Sequence, residues 1–166
     1  MERMVHAAPC AVLVAPAGYA QGAHSAPRHV GVGFADSNEG KQALQLGQEL
    51  AQTLDGDLCV ISASWLSPAV RSYAAQTASI SILESEIYTE TKTSLEHAVA
   101  NLGDHVDAHA IKGNPIDVLL EHSKTLDLLV LGSRAYGPVR YALLGSVSAA
   151  VMRGADCPVL VTPRSG

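Results

Sequence analysis

The residues best placed to do chemistry lie between Leu129 and Val161, in the stretch LVLGSRAYGPVRYALLGSVSAAVMRGADCPVLV. It reads as an apolar run, a loop opening on Gly132, a helix opening on Gly145 and Ser146, and a second apolar run. The first N–H groups of a helix lack intrahelical partners, and the helix dipole favours negative charge there. Together with a hydroxyl, they make a site for a phosphate. A Walker A loop is excluded: Gly132 and Gly137 have its gap, but Pro138 stands where Lys is required. No GxGxxG dinucleotide fingerprint follows the first apolar strand either. A purely structural strand-to-helix turn remains open beside the phosphate reading.

Other constellations are weaker. His105, Asp107 and His109 alternate and so share one face of a strand, where imidazole and carboxylate could ligate zinc. A polar edge strand has the same pattern, because charge on an edge discourages aggregation. His122 has no Ser or Cys nucleophile with an identifiable partner. Glu84, Glu86, Glu90 and Glu96 fit the solvated face of a helix. No residue is assigned a catalytic or metal-binding role.

These residues must be positioned by alternating strands and helices. Val30 to Phe34, Leu58 to Ala63, Asp127 to Leu131 and Pro158 to Thr162 are nearly continuous apolar runs, as in parallel strands buried on both faces. Val106 to Ile111 alternates instead. Ala43, Leu44, Gly47, Leu50, Ala51 and Leu54 recur at helical spacing, and Asp36 with Glu39 predicts a capping box before them. Ser79 to Leu102 reads as a helix, as does Pro115 to Leu126, and another begins near Gly145. Leu66 to Thr77 shows no period and is expected to be irregular. Right-handed crossovers fold this order into an open parallel sheet with helices on both faces, its ligand crevice beyond the carboxyl ends of the strands.

The two ends of the chain repeat each other. MVHAAPCAVLVAP, from Met4 to Pro16, aligns without a gap on VMRGADCPVLVTP, from Val151 to Pro163. Ala8 meets Ala155, Cys10 meets Cys157, Val12 to Val14 meet Val159 to Val161, and Pro16 meets Pro163. Residues 1–17 are therefore expected to be the last helical turn and strand of a preceding domain, 18–28 a Gly/Ala/Ser/Pro linker, and 29–166 a domain. A leader is the competing account of the start, but Glu2 cancels Arg3, and Pro9 and Pro16 interrupt the apolar stretch.

Bulk properties narrow the class. The 166 residues suffice for one ordinary domain. Hydrophobic residues make up 48% but aromatics only 4%, so Val, Leu, Ile and Ala must fill the core, as suits α/β layers. A formal charge of −5 without a basic run argues against nucleic acid as a partner. No apolar stretch reaches the roughly 18 residues that span a bilayer, so no membrane is expected. Cys10, Cys59 and Cys157 have no CxxC spacing and read as buried thiols in a reducing, cytoplasmic setting.

The glycine stretch resembles the signature of universal stress proteins: a Gly, two residues, a Gly, nine residues, then Gly followed by Ser or Thr. Gly132, Gly145 and Ser146 match it, while Ala135 takes the place of the second Gly. VMRGADCPVLVTP resembles that family's closing helix and strand. The resemblance implies a five-stranded parallel sheet of order 3-2-1-4-5, with residues 1–17 adding an extra N-terminal strand, and a stress-response regulatory module. It implies ATP or AMP as ligand, with or without magnesium, and self-association through terminal strands, as a homodimer or a tandem-domain pair.

By matching positions, Gly132, Ala135, Gly145, Ser146 and Val147 would surround the phosphates, with Ser133 and Arg134 adding polar contacts. Ala63 would offer backbone to the base, against Phe34, Ala35 and Asp36. Binders of the family carry an Asp two residues before a Ser at the end of the first strand; here that place is Ala35, and Asp36 follows. The alternatives are a nucleotide-free dimerising module and a slow ATPase.

Overall fold

A computed structural model describes residues 10–21, 26–77, 80–103, 105–133 and 145–162, with backbone alone for 73, 76 and 77. The strands are β1 (Val12–Val14), β2 (His29–Gly33), β3 (Asp57–Ser64), β4 (Val106–Lys112), β5 (Leu128–Gly132) and β6 (Val159–Thr162). The helices are α1 (Asn38–Thr53), α2 (Pro68–Thr77), α3 (Ile80–Val99), α4 (Pro115–Ser123) and α5 (Ser146–Gly154).

All six strands form one sheet of order β1-β6-β5-β2-β3-β4. β2 to β6 are mutually parallel, and without β1 their order is the expected 3-2-1-4-5. The extra strand β1 runs antiparallel on the β6 edge, pairing Val12 with Val161, Leu13 with Leu160 and Val14 with Val159.

The apolar runs are continuous because each central strand is covered twice. Val30, Val32, Val60 and Val130, all fully buried, lie in the core with Ala43 and Leu44 of α1 and Leu95 of α3. Ile61, Leu129, Val159 and Val161 lie in the core with Leu119 of α4 and Val151 and Met152 of α5. β4 has only β3 beside it, and Asp107, Ala108 and His109 are all exposed, so at this edge the alternation in sequence is not matched by alternating burial.

Two expectations need correction. Residues 66–77 are not irregular: α2 occupies Pro68–Thr77, with Ser67 Oγ accepting from Val70 N at 3.3 Å. Asp36 does not cap α1: the N-cap is Ser37, whose Oγ accepts from Gly40 N at 3.1 Å. The Asp36 carboxylate instead pairs with Lys41 Nζ at 2.8 Å.

The start of α1 is wedged between the ends of β2 and β5. A Cβ on Gly40 would come within 1.9 Å of the Ala35 carbonyl oxygen, and one on Gly132 within 2.7 Å of the Glu39 carbonyl oxygen. This is the point where strand order reverses in the sheet, and its two glycines let helix and strand ends meet backbone to backbone.

Candidate functional site

A cavity of about 270 Å3 opens at the carboxyl ends of β2, β3 and β5, on the face covered by α4 and α5. Gly33, Phe34 and Ala35 come from β2 and the turn after it, Ile61 and Ala63 from β3, and Leu131 and Gly132 from β5. Pro115 and Leu119 of α4 and Trp65 close one side; Gly145 to Ser148 close the other.

The two helix starts at the cavity differ. Asn114 Oδ1 accepts from Ile116 N at 2.9 Å, so α4 is already capped. The N-cap of α5 is Gly145, and among the described residues no side chain caps it. The α5 start therefore offers its first N–H groups and the positive end of its dipole to whatever enters. Ser148, 5% exposed, donates through Oγ to Gly132 O at 2.9 Å and ties the helix to the end of β5. Immediately beyond, Ser133 Oγ is buried without a hydrogen-bond partner among the described residues. A buried hydroxyl in that state costs free energy unless a partner arrives.

No charged side chain lines the cavity among the described residues. Its walls are aliphatic and aromatic at the Phe34 and Trp65 end and polar at the α5 end. Such a division suits a ligand with a flat apolar body and an anionic tail.

Seven of the expected site residues line this cavity: Phe34, Ala35, Ala63, Gly132, Gly145, Ser146 and Val147. Ser133 sits at the mouth of the loop, directly after Gly132. Arg134 and Ala135 lie outside the described residues. Asp36 does not line this cavity, but with Phe34, Ala35 and Ala63 it lines a smaller pocket of about 200 Å3 that shares those three residues with it. A hydrogen bond from Lys41 foremost, then one from Ser94, holds its carboxyl below the usual range. It borders an open groove along α3 with Ser85, Thr89 and Thr93.

Trp65, Ile61, Leu119 and Leu131 were not foreseen from sequence, although a lone Trp just past a buried strand was a signal available to read. His105, Asp107 and His109 do not converge: among the described residues no group of three or more His, Cys, Asp or Glu side chains could hold a metal ion. His122 contacts Val118 O through Nδ1 at 2.9 Å, away from the cavity. Among the described residues no helix is long and apolar enough to cross a membrane.

The match to known proteins follows this architecture. The model of the universal stress protein family matches residues 27–163. The chain belongs to the universal stress protein family. A universal stress protein of Mycobacterium tuberculosis is 35% identical over 72 residues, which are 43% of this chain and 23% of that protein. The matched stretch thus spans under a quarter of that relative.

Two solved structures are similar to this universal stress protein domain. One is a universal stress protein in complex with cAMP, at TM-score 0.64 and 24% identity over 85% of this chain and 100% of the other. The second is a functionally unknown protein from Pseudomonas aeruginosa, at TM-score 0.66 and 18% identity over 96% of this chain and 54% of the other.

Proposed function

We propose that this universal stress protein domain is a regulatory module that binds an adenine nucleotide, ATP or AMP, in the cavity beyond β2, β3 and β5. The observation that carries the reading is the α5 start, which among the described residues has no side-chain cap and opens on a cavity walled by Phe34, Ala63 and Trp65. Phosphates take the N–H groups of residues 146–148 and a hydrogen bond from Ser133 Oγ; the base takes the apolar end. The cAMP complex of a similar protein supports a nucleotide as the ligand class. The described cavity lining holds no carboxylate, so magnesium would arrive on the phosphates rather than on protein ligands.

The test is calorimetric titration of nucleotide-stripped protein with Mg-ATP, AMP and cAMP, beside an Ala135→Gly variant that restores the second signature glycine. Micromolar binding by the natural protein is expected. Silence in both proteins overturns the reading, and silence with recovery in the variant marks a nucleotide-free interaction module. A slow ATPase would need a base to activate water, and no side chain lining the cavity among the described residues is one. Phosphate release that is lost in Ser146→Ala would establish it.

We further propose that residues 1–17 are the closing turn and strand of a preceding domain of the same kind, joined by residues 18–28. Support comes from the β1–β6 register. Under the sequence repeat Leu13 corresponds to Leu160, and these two residues pair with each other. The VLV triplets flank them symmetrically, as two copies of one strand do around a two-fold axis. Deleting residues 1–17 should expose the β6 edge and shift the chain to a dimer by light scattering. An unchanged mass and an unchanged Tm would remove the strand from the fold. Of the three free thiols, expected to be buried, only Cys157 is; Cys59 is intermediate and Cys10 exposed, and a reducing, cytoplasmic setting stays a proposal.

A further inference from the structure

A second cavity, of about 250 Å3, opens at the carboxyl ends of β3 and β4. Trp65 walls both cavities. Apolar surface comes from Trp65, Leu66 and Ile87, and the indole is 42% exposed, an unusual amount for the chain's one tryptophan. Arg71 of α2, Glu84 of α3 and Lys112 of β4 bring three charges to the same space.

Those charges do not cancel. Arg71 and Glu84 are ion-paired with each other. Lys112 makes no ion pair among the described residues; its Nζ stands 4.8 Å from the centroid of the Tyr88 ring. The backbone here is already satisfied, since Gly113 N donates to Ser64 O at 3.0 Å. The lining therefore carries one net positive charge beside an exposed aromatic face.

From this we infer that the second cavity binds a small aromatic monocarboxylate, its ring on the Trp65 indole and its carboxylate on Lys112 and the guanidinium N–H groups not engaged by Glu84. One carboxylate neutralises the unmatched charge, and a second would meet Glu84. A flat apolar body suits an indole face better than a branched one. A single ring with one carboxylate is the smallest ligand that uses both the indole and the unmatched charge. For a ligand that small, affinity is expected in the millimolar range.

Trp65 is the only tryptophan and its emission reports on the wall that the two cavities share, so Lys112, which lines the second cavity alone, tells the two apart. Nucleotide-free protein is titrated with phenylacetate, with its uncharged isostere phenylacetamide, and with phenylacetate against Lys112→Gln. A saturable millimolar change with phenylacetate is expected, about tenfold weaker for phenylacetamide and for Lys112→Gln, as loss of a charge-assisted hydrogen bond requires. Absence of a saturable change overturns the proposal, and so does equal affinity for the amide or for the variant. No nucleotide is present, so failure here leaves the adenine nucleotide reading untouched, and failure of that reading leaves this one untouched.

Discussion

Gly132 opens the signature loop, and its role can be separated from that of a ligand. Built onto Gly132, a Cβ would lie 2.7 Å from the Glu39 carbonyl oxygen and 2.9 Å from the Glu39 carbonyl carbon. Ordinary contact begins at 3.4 Å, so the start of α1 would have to retreat by 0.7 Å. That start is itself held by the Ser37 cap and by Gly40 against Ala35, which leaves little freedom to retreat. Overpacking against backbone rather than a flexible side-chain end puts Gly132→Ala at about 2 to 3 kcal/mol.

In a chain of this size that corresponds to a fall in Tm of roughly 4 to 12 °C. The assay is a thermal melt of parent and variant without nucleotide. A variant melting within about 1 °C of the parent would refute the packing argument and return Gly132 to a role at the phosphates alone. The expected fall would mean that lost ATP binding in Gly132→Ala reports a displaced helix, and that only Ala135→Gly probes the loop itself.

Further outcomes follow from the same geometry. Ser37→Ala removes the α1 cap and should cost about 1 kcal/mol, seen as a Tm lower by roughly 2 to 4 °C; no change would return the cap to Asp36. Burial alone would raise the Asp127 carboxyl, but N–H donors from Arg28 and His29, each at 2.9 Å, outweigh it and the net shift is downward. A carboxyl lowered on folding stabilises above its unfolded pKa and stops doing so as pH falls through the folded value. The Tm gap between parent and Asp127→Asn should therefore hold above about pH 5 and close below about pH 4; a gap that widens with acid contradicts this. Burial, reinforced by nearby carboxylates, pushes the Cys59 and Cys157 thiols up to about 11, whereas Cys10 is exposed. Ellman titration of the native protein at neutral pH should find one fast thiol, and three fast thiols would contradict the raised pKa of the other two.

The strands were legible because their burial is written in the local run: β2, β3, β5 and β6 are covered on both faces and so are continuously apolar, while the exposed β4 alternates. α2 was not legible for the opposite reason. Of its described side chains only Ala74 is buried, so there is no apolar stripe, and Pro68 with the Ser67 cap was the sole local sign of a helix. The α1 cap was misread by one residue because Asp36 and Ser37 are both good caps. The choice between them is made by where β2 ends, a tertiary fact that leaves Asp36 to Lys41.

The candidate site divides along the same line. Gly132, Gly145 and Ser146 were found because a strand, a loop and a helix start are contiguous in sequence. Trp65, Leu119 and Pro115 reach the cavity from separate crossovers, and nothing in their neighbourhoods says which face of the sheet they will close. The face is what decides the chemistry. Ala35 and Ala63 line the cavity beneath α4 and α5 as well as the smaller pocket beside α3, whereas Asp36, paired with Lys41 and Ser94, lines only the latter side. With a carboxylate at 35 this cavity would hold a fixed negative charge; with alanine it holds none among the described residues, and under the proposed nucleotide reading recognition would rest on the α5 start, Ser133 Oγ and the indole. Ala35→Asp tests that division. It should move nucleoside affinity and leave affinity for inorganic triphosphate unchanged, because the substitution lies at the apolar end; an equal change in both would mean that the two ends of the cavity do not act separately.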